Sequence, residues 1–380
     1  MKINMKFLGV SALALALCGC GDGGPAQKAA SAATDKYSAP KIAEGAIVAL
    51  GFDQRQIDKL QTAALGEEKS KELANQAWEC LSEDLLAVIK AAGLENTRAR
   101  WGALSIGEPA LKEDMDLKEV PEAAVAISVD IDIEKAVAAI REQLKKDEDD
   151  TKLVEATVAG VKAWKVVDKD GEFAELKAEP CFAALDGKLF LVASNLAALE
   201  KQIKLYRDGA GASAAFANFT LANGDLLRLS LKDIGARIKK IVPKPEETLK
   251  MLNAFIPDGD KMVLGLGALD FAATATADNG VALKLTLGTA SEKEADQLRT
   301  LAKTGLMPLT AQLKEAAKED ADAKKQLVLV EGLKIAGAEG AFEASLVIPP
   351  AILKEYAQEA VAVAKAEKEA AKEPTKEPKK

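Results

Sequence analysis

The chain has no histidine, so every mechanism that needs an imidazole as base, proton shuttle or metal ligand is excluded. Aromatics make up only 4% of the 380 residues, with three tryptophans, which leaves little material for the exposed platforms of a sugar-binding module. Positive charge is also short. Lys plus Arg number 51 against 59 Asp plus Glu, a net charge of -8, whereas a general nucleic-acid binder needs an electropositive face. No nucleophile elbow, metal-ligand spacing or phosphate loop occurs; Leu264-Gly265-Leu266-Gly267-Ala268 lacks the third glycine of a dinucleotide fingerprint. What remains is ordinary globular material, 48% hydrophobic and 29% charged, long enough for two cores.

The first 20 residues, MKINMKFLGVSALALALCGC, place two lysines before an apolar run from Phe7 to Leu17, followed by small residues and cysteine. At roughly 1.5 Å per residue that run makes about 16 Å of helix, about half the hydrocarbon thickness of a bilayer. Leu17-Cys18-Gly19-Cys20 resembles the lipobox of bacterial lipoproteins, with Leu three before and Gly one before the modified cysteine. Cys18 fits less well, because Leu17 would then occupy the small-residue position before the cut. The resemblance implies a signal peptide over 1–19, cleavage before Cys20, and acylation of Cys20 with palmitate-type chains, at least two of which are needed for stable anchoring. It also implies a bacterial envelope location with the body in the periplasm or at the surface. Gly21 rather than Asp follows the cysteine, which points to the outer over the inner membrane. Loss of Lys2 and Lys6 takes the mature charge from -8 to -10. Residues 20–40, rich in Gly, Ala and Ser, read as a flexible tether with a reach of about 25 Å.

Six segments carry an apolar strand pattern that passes through a polar junction into an amphipathic helix. They are Ala46 through Asp53 to Leu60, Ala123 through Asp130 and Asp132 to Ile140, Lys188 through Asn195 to Ile203, Leu226 through Asp233 to Ile241, Val281 through Ser291 to Leu298, and Ala341 through Pro350 to Tyr356. The strands alternate: Leu227, Leu229 and Leu231 share one face while Arg228, Ser230 and Lys232 share the other. Such alternation predicts an α+β fold of mostly antiparallel sheet covered by helices on one face. Asp186-Gly187, Asn279-Gly280 and Glu339-Gly340 predict tight turns, as does Asp168-Lys169-Asp170-Gly171. Leu73, Ala77, Leu81, Leu85, Val88 and Ala92 predict a helix over 67–92. Ser291 and Glu294 form a capping box for a helix that Pro308 is expected to end. The segment 208–222, beginning DGAGASAA, reads as a linker between similar α+β domains at 41–207 and 223–363, with a charged disordered tail at 364–380. This pattern loosely resembles uncharacterised exported bacterial proteins with duplicated hairpin-plus-helix domains, a resemblance that supplies no site residues.

Asp53, Asp130, Asp132, Asn195, Asp233 and Ser291 all stand where strands enter helices. Each has its own helix to serve, so they are expected to cap rather than to bind metal. Asp168-Lys169-Asp170-Gly171-Glu172 fails as a calcium loop, because Lys177 falls where the bidentate acid is required. Once Cys18 is cut away and Cys20 acylated, Cys80 and Cys181 remain. They form either a disulfide, as an oxidising compartment allows, or two buried thiols. Trp78, Trp101 and Trp164 are expected in cores. The sequence therefore predicts a lipid-anchored, non-enzymatic scaffold or partner-binding module without cofactor, metal or nucleic acid, its partner an unknown envelope protein or ligand. The alternatives are a periplasmic ligand-binding protein with a site between the two domains, and an enzyme working through Asp, Glu, Lys or Tyr.

Overall fold

A computed structural model describes residues 36–72, 83–95, 97–111, 117–146, 151–167, 178–221, 224–242, 244–254, 256–337 and 340–372. The signal peptide, Cys20, Cys80, Trp78 and the turn at 168–171 lie outside them. In chain order the N-terminal half contains β1 (Ala46–Asp53), α1 (Gln54–Leu65), α2 (Glu83–Ala91), β2 (Trp101–Gly107), the short β3 (Ala110–Leu111) and β4 (Leu117–Glu119), and β5 (Ala123–Ser128). Next come α3 (Ile133–Lys146), β6 (Lys152–Val158), β7 (Val161–Val167), β8 (Cys181–Leu185), β9 (Leu189–Ala193) and α4 (Leu196–Asp208). The C-terminal half contains β10 (Asp225–Leu231), α5 (Ile234–Ile241), α6 (Pro245–Leu249), α7 (Gly259–Leu264), β11 (Leu269–Ala275), β12 (Val281–Gly288) and α8 (Glu292–Ala316). It ends with α9 (Ala321–Gly332), β13 (Lys334–Ala336), β14 (Ala341–Ile348) and α10 (Pro350–Lys372). Every one of the six strand-to-helix junctions read from the sequence is present, and the fold is mixed α+β.

Twelve strands form one antiparallel sheet in the order β13-β14-β12-β11-β10-β1-β2-β5-β9-β8-β7-β6. The sheet continues across the segment expected as a linker, because β1 pairs with β10 from Val48↔Leu231 to Phe52↔Leu227. That segment is itself packed. Ala43 bridges Ala212, the Ser213 N–H donates to the Ile42 carbonyl at 2.9 Å, and Phe216 and Phe219 are buried against Ala49.

Residues directly opposed across antiparallel strands share a face, so the register divides the sheet into two surfaces. On the first, Val125, Val192, Phe182 and Trp164 stand in one row and Ile127 and Phe190 in the next. Val88 and Ile89 of α2 and Ala136 and Val137 of α3 pack on them. On the second surface Ala103, Ala126, Leu191, Ala183 and Ala163 form a row of mostly small side chains. There Leu199 and Ile203 of α4 are fully buried. Alanine lets a helix approach the sheet closely, so this half is covered on both faces and β9 is buried along its whole length. The expectation of helices on one face is corrected here: Ala124 and Ala126 are the footing of a second layer, not a solvent face.

In the C-terminal half the one-face expectation matches the structure. Ile57 and Leu60 of α1 and Leu353 of α10 pack on Leu227, Phe271, Ala273, Leu283 and Ile348, all on the first surface. Three local expectations change. α8 runs through Pro308 to Ala316, since the ring sits on the solvent side and neighbouring turns pack on α9 and β14. Asn279-Gly280 is not a two-residue hairpin. The ladder stops at Ala275↔Val281, leaving five residues closed by Thr276 N–H to the Gly280 carbonyl at 3.0 Å. α10 extends to Lys372, past the point where the disordered tail was expected to begin.

Candidate binding surface

The second surface of the C-terminal half carries alternating polar rows. Ala272, Lys284, Ser345 and Lys334 oppose one another across β11, β12, β14 and β13; Asp270, Thr286 and Glu343 form the adjacent row. Strand alternation puts these side chains here because their neighbours Phe271, Leu283, Leu285 and Leu346 are held by the opposite, helix-covered side. The rows are exposed or half-buried, and Val347 is 55% exposed among them. Lys284 pairs with Glu343 at 3.1 Å and Lys232 with Asp270 at 3.4 Å. Ser230, buried at the inner margin, donates its hydroxyl to Asp270. The 212–221 segment covers the surface only as far as β10: Arg228 lies over the Phe219 ring and donates to the Thr220 carbonyl at 3.1 Å, and Lys232 lies over Phe216. The result is an uncovered, mixed-charge sheet face beyond β10.

The junction residues separate into two groups. Asp53 accepts from the N–H groups of Arg55 at 3.0 Å and Gln56 at 3.3 Å, Asp132 from Lys135 at 3.2 Å, Asn195 from Ala198 at 2.8 Å and Ser291 from Glu294 at 3.3 Å. The Glu294 carboxylate accepts at 2.9 Å from the Ala290 N–H, one residue before the cap, rather than from the Ser291 N–H that the expected capping box would use. Asp130 and Asp233 do not cap. Asp130 pairs with Arg100 at 3.4 Å, and Asp233 adopts positive φ and lies 3.9 Å from Arg237. Their distribution along several sheet positions gives no shared ligand geometry.

Where the expected tether meets the body, residues 36–43 are strapped to the N-terminal half. Tyr37 is 2% exposed, its hydroxyl donates to Asp186 at 2.8 Å, and its carbonyl accepts from the Trp101 indole at 2.9 Å. Trp101 stacks on Tyr206, whose oxygen accepts from the Lys41 N–H at 2.9 Å. Burial raises the Tyr206 phenol pKa. Tyr37 and Lys36 both donate to Asp186, which holds its carboxyl below the ordinary range. The sequence reading missed this strap, because an isolated Tyr in a Gly/Ala/Ser-rich stretch carries no periodic signal.

Cys181 is a fully buried thiol on the alanine-rich surface, its Sγ 3.7 Å from the Ala193 carbonyl, and burial pushes its pKa up to about 12. Val88 and Ile89 of α2 pack on the opposite sheet face. Trp101 and Trp164 are each 1% exposed, in cores as expected. No described helix is long and apolar enough to cross a membrane. No protein-family model, curated protein or solved structure matches the chain.

Proposed function

We propose that this chain is a lipid-anchored bacterial envelope protein that holds a partner on the uncovered sheet face of its C-terminal half and performs no catalysis. One observation carries the partner-binding reading: the same sheet is covered on both faces from β5 to β9 but on only one from β11 to β13. The uncovered rows alternate Lys284, Lys334, Asp270 and Glu343 with Ser345 and Thr286, a polar composition that stays soluble alone and offers hydrogen bonds and charge pairs to a complementary surface. Anchoring rests on Leu17-Cys18-Gly19-Cys20 and on the Gly/Ala/Ser-rich residues that follow, which join the body at the Tyr37 strap.

We also read the chain as a duplicated unit of two similar α+β domains. From the centre outward the halves begin β1-β2-β5-β9-β8 and β10-β11-β12-β14-β13, the fourth strand in space following the fifth in sequence in each, and the N-terminal half adds β7 and β6 at its edge. Helices follow equivalent strands: α1 and α5 after the first, α3 and α8 after the third, α4 and α10 after β9 and β14. The C-terminal copy places its last helix on the same side as α1, which leaves the opposite side open.

Photo-reactive side chains introduced in cells at Lys284, on the open face, and at Lys354, on α10, test the binding reading. Recovery of a defined protein neighbour from position 284 and not from 354 is expected. No neighbour from 284, or equal capture from both, would overturn it.

A further inference from the structure

A trough lies at the far edge of the sheet, on the opposite side from the open polar face. It has a volume of about 460 Å³, within the roughly 300–1,000 Å³ of ordinary ligand sites. One wall is a single stripe of α8: Lys303, Leu306, Met307, Thr310, Ala311 and Lys314, spaced at three and four residues so that all face the same way. The other wall is Leu333 with Ile335 of β13. The trough is therefore long and narrow, about 16 Å from Lys303 to Lys314 at 1.5 Å per residue. Its middle is aliphatic. The Thr310 hydroxyl is committed to the Leu306 carbonyl at 2.7 Å, and Met307 is 70% exposed at the lip.

Charge distinguishes the two ends. Lys314 is neutralised by Glu331 of α9 at 3.1 Å, whereas among the described residues Lys303 makes no ion pair. An open, elongated apolar groove with one uncompensated cation at one end matches a molecule with an apolar tail and a single anionic head. A strand-adding peptide fits less well, since β13 offers an edge of three residues, too short for a ladder of useful length. We infer that this trough binds a long-chain fatty acid, its carboxylate on Lys303 and its chain along Leu306, Met307, Ala311, Leu333 and Ile335 toward Lys314. Methionine suits such a lip because its unbranched, polarizable side chain adapts to a chain of variable shape. The inference is independent of whether Cys20 is acylated and of any partner on the polar face.

The test uses the chain from residue 20 onward with Cys20→Ser, which retains every described residue, titrated calorimetrically with hexadecanoate below its micelle concentration. Saturable binding of one fatty acid per chain is expected. Lys303→Glu should weaken it at least tenfold, and Ala311→Trp should abolish it by filling the trough; both positions are exposed, and unchanged thermal melting verifies the fold. Hexadecyltrimethylammonium, with the same tail and the opposite charge, should bind at least tenfold more weakly than hexadecanoate. Absence of saturable binding, equal binding of the two head groups, or undiminished binding in either variant would overturn the inference.

Discussion

At the scale of single residues, the chain uses hydrogen-bonded polar groups to fasten segments that have little apolar surface of their own. Asp186 is the clearest case. Its carboxyl is held below the ordinary value of about 3.9 by donated hydrogen bonds from Tyr37 and Lys36. A carboxylate with a depressed folded pKa contributes stability above its unfolded pKa, and that contribution is lost as pH falls toward the folded value. Asp186→Asn should therefore lower the melting temperature at pH 7 and do so progressively less below about pH 4. Parallel melts of both proteins from pH 3 to 7 check this; a pH-independent difference would mean that the charge of Asp186 is not what fastens the strap. Cys181 makes the opposite kind of statement. Fully buried beneath α4, with its thiol pKa pushed up to about 12, it should be inert to thiol reagents in the folded protein. Two reactive thiols per Cys20→Ser chain, counted from residue 20 in denaturant without reductant, are expected; none would show that Cys80 and Cys181 are joined.

At the scale of elements, the two halves differ in what stands behind their apolar strands. Ala183, 0% exposed, lies in the alanine row under α4, whereas Ala282 lies on the open face beside the exposed Val347. Ala183→Leu should cost about 1–3 kcal/mol by overpacking, while Ala282→Leu should stay within about 0.5 kcal/mol. Denaturant unfolding of both variants decides this, and equal costs would contradict the assignment of covered and open faces. The strand-to-helix junctions were legible in the sequence because period-two alternation and the oxygen-bearing caps Asp53, Asn195 and Ser291 mark them locally. The second layer over β5 and β9 was not, because the small residues opposite Val125 and Ile127 look the same whether they meet a helix or water. The β6–β7 turn was hidden for a similar reason. Ala159 takes positive φ beside Gly160, and the Ala159 carbonyl accepts from Arg207 at 2.8 Å, a tertiary contact that no local motif announces. Pro308 reads as a helix stop, yet packing of the flanking turns carries α8 past it. The trough beside it depends on α8 meeting β13, a juxtaposition that local sequence signals do not reveal.

At the scale of the whole molecule, one twelve-stranded sheet unites both halves, with a strap at the N-terminal entry, a polar face on one side and a lysine-ended trough at the opposite edge. The net charge of -8 across the full chain supplies no excess of basic residues for binding an anionic membrane surface, so the proposed attachment rests on acylation of Cys20. The role proposed for the uncovered face rests on that location, which depends on one side chain, whereas fatty-acid binding in the trough does not. The most direct test is the intact mass of the N-terminal peptide from protein extracted from bacterial membranes, compared with a Cys20→Ser variant. Anchoring requires a chain that begins at Cys20 with the added mass of at least two acyl chains, and a variant that stays uncleaved and lacks that mass. A native chain that still begins at Met1, or begins at Cys20 without acyl mass, would contradict it.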